Sequence, residues 1–560
     1  MSTASLSIVQ PKSSHLSLPK GTPAFEELKD KVLDEFAAKV PLELRLPQAL
    51  IDDPPKDVSN IPRECGILSA KDLEITDQYD AVALAEAIAR KKLTAVEVAT
   101  AFAKRAIIAH QLTCCLVDWF MDEAIERARS LDRHLEETGQ TIGPLHGVPI
   151  SIKEHMPLAG HYSATGYWDT RVLDTEDCQM MAILRAAGAV FYCKTLQPQS
   201  IMHLETVSLL GRTLNPFNIN LTAGGSTGGE AALIAMRGSV LGVGTDIGGS
   251  VRCPAGVCGI YGFKPTSYTL PMSGFLPEGF GAELNVLCST GPMCTSLRDM
   301  DLFMRVLTDT KPYLSDPRLI PIPWTGLSGA KKSPLKIGFM MIDGMIEPQP
   351  PVTKALMWAK DQLEKTGSFE VKEFKPFKVG EAMKNIRLAY WPDGGKAVKA
   401  HLADSGEPML PLTQWIIKDA EGDDIGTAGV LRQRVVRDLF RTEFASHWTE
   451  QDVDVVISPA FIGPACSHET AFYWNYTAFW NYVDCPGVCL PTPFKAGKKG
   501  TEDYSEDKQT PLSEECKHVR QLWAEGDFEG APIDIQVCAR KYHDNDLFAA
   551  LEAMKDALQF

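Results

Sequence analysis

Two apolar patterns take turns along this chain: residues recurring every three or four positions, and short continuous apolar runs. The first marks one face of a helix, the second a strand covered on both faces. Phe25, Leu28, Val32, Phe36 and Val40 keep helical spacing through PAFEELKDKVLDEFAAKV and predict a helix there. Thr94-Ala95-Val96-Glu97 is a capping box, whose two end side chains satisfy each other's backbone N–H groups. The helix it opens buries Val98, Phe102 and Ala106. Ala124, Ala128, Leu131 and Leu135 share one face of the next helix, which stops near Gly139.

From residue 178 the patterns alternate closely. Residues 178–187 read as a helix ended by Gly188, with AVFYCK as the strand that follows. EAALIAMR is a short helix and SVLGVGT a strand running into a glycine turn. LKIGFMMID predicts a strand, VTKALMWAKDQLEKTG an amphipathic helix, and VDVVISPA a further buried strand. Repetition of helix, glycine and strand predicts an α/β protein with a largely covered sheet. Residues 1–22 are rich in Ser and Pro and are expected to be disordered or loosely packed. A helical extension is expected over 23–75 and one large domain over 76–560. KAGKKGTEDYSEDKQT, starting at Lys495, reads as a charged loop without packing value.

Bulk composition narrows the class. A net charge of −16 argues against nucleic acid, whose phosphates are bound by clustered Lys and Arg. Fourteen cysteines in 560 residues are too dilute for a disulfide framework and read as buried thiols in a reducing compartment. Cys485 and Cys489 form a C-x3-C pair with no second pair at zinc spacing, so no metal is expected. The first 21 residues have neither a basic region nor an apolar core, which predicts a cytoplasmic chain without signal peptide or membrane anchor.

The chemistry is concentrated between Gly224 and Arg252, GGSTGGEAALIAMRGSVLGVGTDIGGSVR. Ser226 and Ser250 each sit in a glycine-rich turn. Glycines let the backbone take positive φ or approach a ligand closely. Gly248 and Gly249 before Ser250 allow consecutive N–H groups to converge on developing negative charge; a plain tight turn is the other meaning of such a pair. Upstream, Lys153 ends the apolar run GVPISIK, with Val148, Ile150 and Ile152 alternating toward it. A strand-end lysine commonly reaches solvent, whereas a buried one loses proton affinity and can serve as a base. Gly224-Gly225-Ser226-Thr227-Gly228 also fits G-x-S-x-G, but the PFNINLTA before it is more polar than a hydrolase elbow strand. Phe472, Tyr473, Trp474, Tyr476, Phe479, Trp480 and Tyr482 form a dense aromatic run, suited to a pocket wall or to core packing.

Together these elements resemble the amidase signature family. The 24 positions from Ser226 to Ser250 match the family spacing, as do Gly147-Val148-Pro149, Asn215-Pro216, Gly244-Thr245-Asp246, Pro254-Ala255 and Gly262 to Thr266. The likeness runs from about Gly66 to the C-terminus and is strongest to fungal acetamidases and general amidases. It implies a mixed, twisted sheet with helices on both faces. It also implies hydrolysis of a carboxylic amide, without cofactor, by Ser250 as nucleophile, Ser226 as cis-serine and Lys153 as base. By the same resemblance the N–H groups of Ile247, Gly248, Gly249 and Ser250 form the oxyanion hole. Ile201 and Met202 then flank the acyl channel, while Asp246 and Arg252 brace the turn. Thr227 stands where the family has a second serine, and Glu154 where it has Asp. The implied partner is a small amide, with no nucleic acid, no membrane and a homodimer allowed. A tailoring amidase of a fungal secondary-metabolite pathway and an amidotransferase subunit share the same chemistry; activity of the isolated chain separates the second.

Overall fold

The computed structural model describes residues 9–275, 285–422, 424–505 and 510–560. Its centre is an 11-stranded mixed sheet. In chain order the strands are β1 (Leu116–Trp119), β2 (Pro149–Lys153), β3 (Val190–Thr195), β4 (Leu241–Asp246), β5 (Tyr261–Lys264) and β6 (Ser289–Cys294). Then follow β7 (Leu335–Phe339), β8 (Phe369–Glu373), β9 (Val455–Pro459), β10 (Gly487–Lys495) and β11 (Pro532–Ala539). Across the sheet they lie in the order β1-β3-β2-β4-β6-β5-β10-β11-β9-β7-β8. Parallel pairs (β3 with β2, β2 with β4) sit near one end, and antiparallel pairs fill the middle from β4 to β9.

Every residue of β2, β3, β4, β6, β9 and β11 is buried, so both faces are covered by helices. This is the α/β architecture the alternating patterns predict. Burial on both faces also revises the reading of β2: Val148, Ile150 and Ile152 do not mark one covered face, because Ser151 opposite them is equally buried.

The helices follow their local signals. Thr94 and Glu97 form a capping box at the start of the helix Ala95–Thr113. The helix Met121–Thr138 buries Ala124, Ala128, Leu131 and Leu135 and ends on Gly139 in the left-handed region. In the helix Pro23–Lys39, Phe25 and Phe36 are buried, but Leu28 is exposed and Val32 only half-buried, because a neighbour covers one edge of that face.

Two segments are better packed than their composition implies. Residues 1–8 lie outside the described residues, but Val9, Gln10 and Ser14 are buried, and Gln10 donates to the Leu210 carbonyl at 2.8 Å. In the charged loop, Ala496 is buried, the Glu502 carbonyl accepts from Trp523, and Arg520 lies over the Tyr504 ring; residues 506–509 lie outside the description. The helix Ala70–Gln78 runs across the boundary expected at 75, and Phe36, Val58 and Ile75 join the main core.

Glycines set how closely the central strands approach. Gly244 of β4 faces Gly291 of β6, and a Cβ on Gly291 would lie 1.8 Å from the Phe263 carbonyl oxygen. Gly291→Ala is therefore expected to force β5 and β6 apart, at a cost of about 1–3 kcal/mol, and to lower the thermal unfolding midpoint. An unchanged midpoint would show that this contact yields freely.

Candidate active site

Three chain segments meet at the C-terminal ends of β2 and β4. β2 ends on Lys153, whose side chain is completely buried. The turn before the helix Gly228–Ala235 carries Ser226, with a cis peptide between Gly225 and Ser226. β4 ends on Asp246 and passes through Ile247 to Val251 into the helix Arg252–Cys258. Gly224 and Gly249 both have positive φ, and a side chain on either would strike Pro254 or Thr477. These turns need glycine for conformation and for space.

Lys153 Nζ donates to Ser226 Oγ at 2.6 Å, Thr227 Oγ1 at 3.0 Å and Thr245 Oγ1 at 3.3 Å. All three acceptors are neutral hydroxyls, so no carboxylate touches the ammonium. Burial brings the Lys153 pKa down to about 7, against the weaker pull of Cys288, Asp246, Glu154 and Glu230. Glu230, below the site, takes hydrogen bonds from Ser151 and Thr195, and burial raises it to about 7. His155 Nδ1 faces Gln197 Oε1 at 2.7 Å and so carries the ring proton. Burial lowers His155 to about 3, which keeps it neutral.

The Ser250 turn is held from several directions. Asp246 accepts the N–H groups of Gly249 (2.8 Å), Val251 (3.2 Å) and Arg252 (3.3 Å). Tyr390 donates to the Ile247 carbonyl at 2.9 Å and Thr477 to the Gly248 carbonyl at 2.7 Å. The Thr227 N–H donates to the Ser250 carbonyl at 3.2 Å, tying the two serine turns together. The carbonyls of Ile247, Gly248 and Ser250 are thus each held by a donor.

Ser226, Ser250, Ile247, Ile201 and Met202 border one small cavity of about 20 Å³, joined by His155, Thr245 and Cys288. Gly248 and Gly249 form the turn itself, and Thr227 lies beneath it against Lys153. Glu154 faces away, into a different cavity. Sequence reasoning did not find Cys288, Tyr390, Thr477 or Asn481 as parts of the site. They carry no local motif and arrive from distant elements. The aromatic run divides: Phe472, Tyr473 and Trp474 line a pocket of about 200 Å³ with Tyr390 and Trp415, whereas Tyr476, Phe479, Trp480 and Tyr482 are core. The strand before Ser226, Asn218–Thr222, belongs to a separate two-stranded hairpin outside the central sheet, unlike a hydrolase elbow. Among the described residues no cluster of His, Cys, Asp and Glu is placed to hold a metal ion. No described helix is long and apolar enough to cross a membrane.

Comparison with known proteins gives the family. The chain is 40% identical to a putative amidase of Schizosaccharomyces pombe over 90% of its own length and 95% of the relative's. It is 33% identical to an acetamidase of Emericella nidulans, covering 94% of this chain and 97% of that one. A solved fatty acid amide hydrolase superposes with a TM-score of 0.88 at 31% identity, over 97% of this chain and 95% of the other. The amidase family model matches residues 97–548, and the chain belongs to that family of amide hydrolases.

Proposed function

We propose that this amidase works through an acyl-enzyme on Ser250, with Ser226 as proton relay and Lys153 as general base. The observation that carries the reading is the 2.6 Å hydrogen bond from a fully buried Lys153 to Ser226, which shares a cavity with Ser250. Neutral Lys153 takes the Ser226 proton while Ser226 takes that of Ser250, and Ser250 Oγ attacks the amide carbonyl carbon. The oxyanion rests on the N–H groups of Ile247, Gly248 and Ser250, since that of Gly249 is already given to Asp246. The C–N bond then breaks as the proton returns through Ser226 to the leaving nitrogen. Water attacks the acyl-enzyme along the same relay and releases the acid.

A cavity this small suits a short acyl group, and relatives named acetamidase support a simple aliphatic amide. A second reading, a bulkier aromatic amide of the kind a tailoring enzyme meets, draws on the aromatic pocket. Its Tyr390 bonds the Ile247 carbonyl, and its Trp474 lies against Gly248. Either reaction needs no cofactor, nucleic acid or membrane, and we place it in the cytoplasm.

A fluorophosphonate is expected to label Ser250. Peptide mapping that puts the adduct on Ser226, with Ser250 untouched, would reverse the assigned roles.

The pH dependence of that labelling tests the base. Only neutral Lys153 accepts a proton, and its neutral fraction grows as pH passes upward through about 7. Labelling should therefore accelerate with pH and level off above that point. Lys153→Ala is expected to slow it by about two to four orders of magnitude. Lys153→Arg should recover little, because guanidinium stays protonated. Near-normal turnover in the arginine variant would remove Lys153 from the base role.

A further inference from the structure

A second cavity, of about 310 Å³, adjoins the catalytic one and is not used by the mechanism above. The segment 197–202 borders both: Gln197, Pro198 and Gln199 face the second cavity, and Ile201 and Met202 the catalytic one. Strand β2 is shared in the same way, Lys153 bonding Ser226 while the next residue, Glu154, lines the second cavity. The strand ends at Lys153, and the turn that follows carries Glu154 to the other side. Phe25, Val32 and Phe36 of the helix Pro23–Lys39 form one wall, and Tyr167 and Trp168 another. Glu35 and Lys39, both exposed, stand at the mouth.

The charges inside do not cancel. Four carboxyls (Glu35, Asp118, Glu154, Glu407) face two cations, Lys39 and Arg171. Lys39 is engaged by Asp118 at 2.5 Å. The Arg171 guanidinium lies over the Tyr162 ring, 3.6 Å from its centre, and 5.5 Å from that of Trp168. Glu407 accepts only neutral donors, Gln199 Nε2 at 2.7 Å and the Trp168 N–H at 3.1 Å. Glu154 accepts the Gln197 N–H and feels Lys194 and, more weakly, Arg171 from a distance, but the lysine ammonium is already bonded to the Tyr162 carbonyl and Ser163. Among the described residues the donors that reach the two glutamates are neutral amides. Burial pushes both up to about 7, and their mutual repulsion adds to it for Glu154.

We propose that this cavity is a second ligand site that takes an organic ammonium ion: a protonated amine on a flat apolar body. The ammonium supplies the contacting cation that Glu154 and Glu407 lack, and the aromatic lining of Tyr167 and Trp168 suits its apolar body. Phe25, Phe36 and Val32 cover the apolar body. A metal ion is a poor match, since a hard cation seeks six or more oxygens and no aromatic wall. An anion is a poor match because four carboxyls face only two cations.

The site does not depend on which serine reacts, so its test is independent of the proposed mechanism. Benzylammonium and its neutral analogue benzyl alcohol are titrated calorimetrically into the full chain, with and without prior capping by a fluorophosphonate. One equivalent of benzylammonium is expected to bind in both states, with benzyl alcohol weaker by about tenfold or more. Glu407→Gln should weaken the amine by about tenfold while leaving the alcohol unchanged. Val32→Trp, which fills the cavity from a half-buried helix position, should abolish binding of both, with circular dichroism confirming that the variants are folded. Equal binding of the two probes, binding indifferent to Val32→Trp, or binding lost on capping the serine would each overturn the proposal. Absence of benzylammonium binding to the folded wild-type chain would overturn it too.

Discussion

The site hangs on one buried ion pair. Asp246 and Arg252 are both fully buried and bond each other twice, at 3.0 and 3.1 Å. Removing two charges from water costs several kcal/mol per ion and is tolerated only when the remaining bonding capacity is met. Here it is met by the site itself. Asp246 takes three backbone N–H groups of the Ser250 turn and the Asn481 amide at 2.8 Å. Arg252 reaches Asn481 Oδ1, the Thr477 carbonyl and Gln536 Oε1. Burial raises the Asp246 carboxyl, but the Arg252 charge, Lys264 and Asn481 together hold it well below the usual range. The pair joins β4, the Ser250 turn, the helix Asn475–Tyr482 and β11, and no member can move without leaving a charge exposed to apolar surroundings.

With the turn fixed, the state of Lys153 follows from burial and from the acids around it. Of the carboxyls whose charge would keep a proton on Lys153, Asp246 stays ionised, whereas burial raises Glu154 and Glu230 to about 7. Near neutrality these two are part-protonated, so their pull on the ammonium is below that of full carboxylates and grows as pH rises through the range where the lysine releases its proton. Titrations of this kind are coupled and belong to the group of residues together. The hydroxyls of Ser226, Thr227 and Thr245 stabilise either form of the lysine, because each can accept from an ammonium or donate to an amine.

Local signals were legible in the sequence, and long-range ones were not. The Thr94–Glu97 capping box, the Ala124–Leu135 face and the paired glycine turns each need only a few neighbouring residues to declare themselves. Tyr390 and Thr477 reach the Ser250 turn across 143 and 229 positions, and nothing in their own neighbourhoods marks that contact. The Ser/Pro-rich start misled for a related reason. Composition says such a segment cannot build a core, but Gln10 and Arg212 pin it to a neighbouring hairpin by hydrogen bonds to the carbonyls of Leu210 and Leu16. Glu154 was read for its effect on Lys153, when the turn after β2 carries it toward the second cavity.

The departure at Thr227 has a steric explanation that the sequence holds only in two separate places. The threonine methyl needs room that a serine would not. A Cβ on Gly244 of the adjacent strand β4 would come within 2.8 Å of that methyl and 2.9 Å of the hydroxyl. Glycine at 244 thus provides the space, and Thr227 fills it, directing its hydroxyl to Lys153 at 3.0 Å. A β-branched residue has restricted χ1 freedom, so the methyl packed against Gly244 also limits where that hydroxyl can point. Substitution of the family serine therefore leaves the lysine's third hydroxyl partner in place and holds it more rigidly, with the strand glycine as the condition that makes the exchange tolerable.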